Sequence, residues 1–133
     1  TGCRVGIHWE GRPYTDLVSN EPLAERYCTH MAALGLPVGK LPWFGASTDM
    51  GNVSYVLPTI HPMFDIPSDP LNANHTAPFT EAAATEEAHK RTIRVAKAMA
   101  RAAYDLIADP AILAQVKADF AAQVPAPGDP LKR

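Results

Sequence analysis

Apolar and polar residues alternate at the start of the chain, with Cys3, Val5, Ile7 and Trp9 set against Arg4, Gly6, His8 and Glu10. That period of two predicts a half-buried strand over residues 1–10. A strand this early, with no hairpin partner nearby, predicts that further sequence precedes it. Residues 11–16 read as a connection. After Asn20 the period changes. Leu23, Tyr27, Met31 and Leu34 recur at helical spacing, Asn20 is a good N-cap and Pro22 is tolerated in the first turn. Gly35 and Pro37 end the pattern, so a helix is predicted over about 21–34.

Residues 38–76 carry no long helical pattern. Leu41 to Phe44 reads as a short strand, Asp49 to Val56 as one or two helical turns, and Ile60 to Ile66 as a strand. Pro62 must then sit at an edge or a bulge, because it has no N–H to give. Residues 68–76, rich in Pro, Asn and Asp, form a loop. A long helix follows over about 85–108, with apolar recurrence at Ile93, Ala96, Met99, Ala100, Ala103, Leu106 and Ile107. Glu86 with Lys90, and Glu87 with Arg91, add favourably oriented i,i+4 pairs. Asp109 and Pro110 break it, and a last helix runs to about Gln123 with Ile112, Leu113, Val116 and Phe120 on one face. The tail 125–133, with three prolines, reads as extended. Strands mixed with helices predict an α/β layered domain, the Ala-rich helix faces lying on a sheet.

Composition adds limits rather than identity. At 133 residues the chain is one domain's worth, and 47% hydrophobic with 20% charged residues is ordinary for a globular protein. A formal charge of −2 attracts neither nucleic acid nor an anionic membrane, so neither is expected as a partner. Prolines 58, 62 and 67 interrupt apolar stretches already too short to cross a bilayer, and no signal-peptide pattern opens the chain. Two cysteines, Cys3 and Cys28, suit a reduced cytoplasmic setting, with both thiols buried as small apolar groups.

Five histidines are available for chemistry. His8 falls on the polar side of the first strand, and His30 and His89 flank helix stripes, so all three read as surface or boundary residues. His61, inside an apolar run, reads as a core histidine that needs a hydrogen-bond partner. His75 sits in a polar loop just before a helix start, where binding residues concentrate. The run 47–49 reads either as a cap before a tight turn or as a platform that meets a substrate. One Asp and one or two His do not make a catalytic zinc site, which takes three protein ligands and an open position. No His-Glu-x-x-His helix, Cys-x-x-Cys pair, phosphate loop or Gly-x-Ser-x-Gly elbow is present. Chemistry read from the residues alone stays undecided.

Three ordered motifs carry a resemblance. They are Ser-Thr-Asp-Met-Gly-Asn-Val-Ser-Tyr-Val-Leu-Pro at 47–58, Ile-His-Pro-Met-Phe at 60–64, and Asn-His-Thr-Ala-Pro-Phe-Thr-Glu-Ala-Ala at 74–83. With Thr-Gly-Cys-Arg-Val at 1–5 and the stretch 13–24, they resemble the zinc-dependent aminoacylase/carboxypeptidase family of amidohydrolases over about residues 1–110. The aminobenzoyl-glutamate hydrolase branch looks nearest. The resemblance implies the carboxy-terminal part of a three-layer α/β/α catalytic domain. Residues 1–10 would end a lid-domain strand, 11–124 would belong to the catalytic domain, and 125–133 would be a tail.

By the same resemblance, the complete enzyme holds two divalent metal ions, zinc above all, and cleaves amide bonds of N-acyl amino acids or dipeptides through a metal-activated water. His75 matches the last metal ligand. Asp49, Gly51 and Asn52 match a turn that contacts substrate. The family's His-x-Asp motif, its Glu-Glu base pair and its lid histidine have no counterpart here, so no catalytic residue is assigned and the chain alone is expected to be inactive. Expected partners are a small amide substrate, a second copy in a homo-oligomer and the missing amino-terminal half. A non-catalytic α/β interaction module is the alternative.

Overall fold

The structure is a computed structural model that describes residues 2–8, 11, 13–39, 47–69 and 74–124. Five helices follow one another: α1 Glu21–Ala33, α2 Met50–Ser54, α3 Ala77–Ala83, α4 Glu86–Ala108 and α5 Pro110–Gln123. Among the described residues there is no strand and no sheet, which overturns the α/β three-layer expectation. Residues 2–8 and 60–66 carry no regular element, and among the described residues no strand pairs with either. A strand is defined by bonds to a partner, and alternation alone does not supply one. The expected strand at 41–44, the tail 125–133, and Trp9 and Glu10 lie outside the described residues.

The helix boundaries follow local chemistry. Asn20 Oδ1 accepts from Leu23 N at 3.2 Å, Thr76 and Thr85 cap α3 and α4 in the same way, and Asp109 Oδ1 accepts from Ala111 N at 2.8 Å. At the other end of α1 the chain turns through Gly35 at φ 76. Gly35 N donates to Ala32 O and Leu36 N to Met31 O, the Schellman pattern, and Leu36 packs beside Met31 on the core.

Helices α1, α4 and α5 pack on one another, and α3 rests on α4. The core joins Tyr27 and Met31 of α1 to Val95, Ala98 and Ala102 of α4, with Leu23, Cys28, Leu34, Leu36 and Ile60 closing it. Large side chains come from α1 and small ones from α4, so the two helices approach closely. The stripe expected on α1 is the buried one, as is Val116 on α5. On α4 the buried face is Ala88, Val95, Ala98 and Ala102. The recurrence beginning at Ile93 instead faces largely outward, a correction to the face read from the pattern. Cys28 is half-buried but Cys3 is exposed, a correction to the expectation that both thiols are buried.

The extended segment 13–18 is held by α2. Ser54, fully buried, accepts from Val18 N at 3.0 Å and donates to Gly51 O at 2.6 Å. Tyr55 Oη donates to Asp16 Oδ1 at 2.7 Å, and the loss of that bond on ionisation holds the phenol above its usual range. Tyr27 differs: its buried hydroxyl has no partner among the described residues, and desolvation, with the nearby Cys28, pushes its ionisation to higher pH.

Two substitutions separate these buried hydroxyls. Ser54→Ala leaves the Val18 N–H unsatisfied and should cost about 1–3 kcal/mol in chemical denaturation. Tyr27→Phe removes only a desolvated, unpartnered group and should leave the midpoint unchanged or raise it. Equal losses in the two variants would contradict this assignment.

Candidate functional site

The turn that begins α2 is built by its own backbone. Gly51 N donates to Thr48 O and Asn52 N to Asp49 O, while Thr48 Oγ1 accepts from Met50 N at 3.2 Å. Asp49 stands at the N-cap position but makes no capping bond, and its carboxylate is exposed. Gly51 is buried, and a Cβ there would lie 2.0 Å from Thr15 O, so only glycine admits the backbone crossing it. Asn52 spends both ends of its amide on that backbone. Its Oδ1 accepts from Thr15 N at 3.3 Å, and its Nδ2 donates to Pro13 O at 3.1 Å.

His75 occupies the turn before α3. It is exposed and has a φ of 70, a left-handed conformation that non-glycine residues adopt sparingly. Thr76 next to it caps α3, and Pro78 in the first turn fixes where that helix begins. Helix α2 packs on none of the other helices and α3 only on α4, so no helix contact joins Asp49, Gly51 and Asn52 to His75. Among the described residues no group of three or more His, Cys, Asp or Glu side chains is placed to hold a metal ion. A zinc site needs three protein ligands, so these residues do not form one by themselves.

His61 is exposed, not a core histidine, because the segment carrying it runs over the surface rather than within a sheet. His8 and His89 are exposed as expected. His30 is more than a boundary residue. Its Nε2 donates to Asp105 Oδ2 at 2.8 Å, and Arg26 Nε donates to the same oxygen at 3.1 Å. The His30 bond first, then Arg26, holds the Asp105 carboxyl below its usual range of about 3.8 against partial desolvation. Arg26 and His30 share an α1 edge at i,i+4, which spacing can reveal. Their acid lies 75 residues beyond His30, where no local pattern reaches.

A second cluster joins α4 to the segment before it. Arg91 donates to Asp65 Oδ2 and Asp65 O and to Glu87 Oε1, and these bonds, that to Glu87 foremost, raise its already high ionisation. It borders a groove of about 490 Å³ floored by Met31, Leu36, Val95 and Phe64.

The chain is similar to two proteins named Xaa-Arg dipeptidase. It is 41% identical to that of Mus musculus and 40% identical to that of Homo sapiens, each over 124 residues and 90% of this chain. It spans about 28% of the length of each. No family model matches the chain. No solved structure matches it significantly.

The Asp105 pair predicts an acid-side effect with a definite sign. A depressed carboxyl contributes stability that is present above its unfolded value, near 3.9, and is lost as pH falls through the lower folded value. Asp105→Asn should therefore flatten the stability-versus-pH curve on its acid limb. Parallel acid limbs for the two proteins, followed by circular dichroism, would refute it.

Proposed function

We propose that this chain is part of a metal-dependent peptidase or amidohydrolase that cleaves the amide bond of a dipeptide or a related N-acyl amino acid. The observation that carries the proposal is the identity of about 40% to two dipeptidases across nine-tenths of the chain. The relatives' name makes a dipeptide ending in arginine the first substrate to test. An aminobenzoyl-glutamate-type substrate has only the motif resemblance behind it.

In this reading His75 contributes one nitrogen to a divalent metal site, zinc foremost, whose other ligands come from outside the chain. The metal would supply Lewis acidity and an activated water. The residues of this chain do less, but their parts are distinct. Thr76 and Pro78 fix the turn that presents His75 to solvent. Gly51 and Asn52 clamp the backbone at 13–16 and so hold the turn rigid. Within that turn the Asp49 carboxylate remains exposed and uncommitted to capping, able to meet a cationic substrate group. Homo-oligomerisation, a missing amino-terminal half and a cytoplasmic setting belong to the same proposal. No helix among the described residues is long and apolar enough to cross a membrane.

The test uses the longest protein that contains this chain. His75→Ala should remove bound zinc and lower dipeptide hydrolysis by more than the roughly 10–100-fold that follows loss of a residue merely supporting a ligand. Metal content by plasma mass spectrometry and initial rates on an Xaa-Arg dipeptide read both effects. Unchanged metal and rate would end the assignment of His75.

A further inference from the structure

We draw no further inference here: the strongest candidate, the outward apolar face of helix α4 along Ile93, Met99 and Ile107, carries nothing, because the chain spans about 28% of the length of its relatives and nothing in the structure shows what covers that face.

Discussion

A single buried amide ties the start of α1 to α5 and to the segment at 59. Asn20 is 2% exposed and sits where three segments meet. Its Oδ1 caps α1, its Nδ2 donates to Val116 O of α5 at 2.9 Å, and its backbone N donates to Thr59 O at 2.8 Å. The last two join parts of the chain that local propensity cannot bring together. Each is also nearly compulsory, because a buried polar group left unpaired costs about as much as a helix cap contributes. Asp119 and Gln123 extend the same junction, Asp119 accepting from Glu21 N and Gln123 reaching Ser19 O. Helix α5 is thus clasped to the first turn of α1.

The division of size across that core governs what the rest of the surface looks like. Tyr27 and Met31 supply bulk, so α4 can afford alanine at 98 and 102. An alanine-rich helix has no large residues to announce its inner side. Its bulkier apolar positions, Ile93, Met99 and Ile107, are left for the outside. The salt links Arg26–Asp105 and Arg91–Asp65 join α4 to α1 and to the segment at 65. An exposed pair such as Arg91–Asp65 contributes little energy singly, whereas Asp105 is part-buried and held by two donors.

Much of the helical framework is legible from residues near one another. Asn20 and Gly35 bracket α1, and Asp109 with Pro110 separates α4 from α5, because caps and breakers act within a few positions. The alternation at 3–9 misled for the opposite reason, since a strand depends on a distant partner. The buried face of α4 was hidden by alanine, which is compatible with either side. At the candidate site the turn at 49–52 and the setting of His75 ahead of a helix were readable. The crossing of Gly51 by Thr15 was not, because it joins residues 36 positions apart.

That crossing has its own consequence. A five-residue helix has too few internal bonds to persist unaided, so α2 exists because residues 13–18 lie across it. The shape of the turn bearing Asp49 is therefore encoded as much at Pro13, Thr15 and Val18 as in the turn itself. Sequence drift in that plain-looking connector would be felt as altered recognition, although none of its own side chains need touch a ligand.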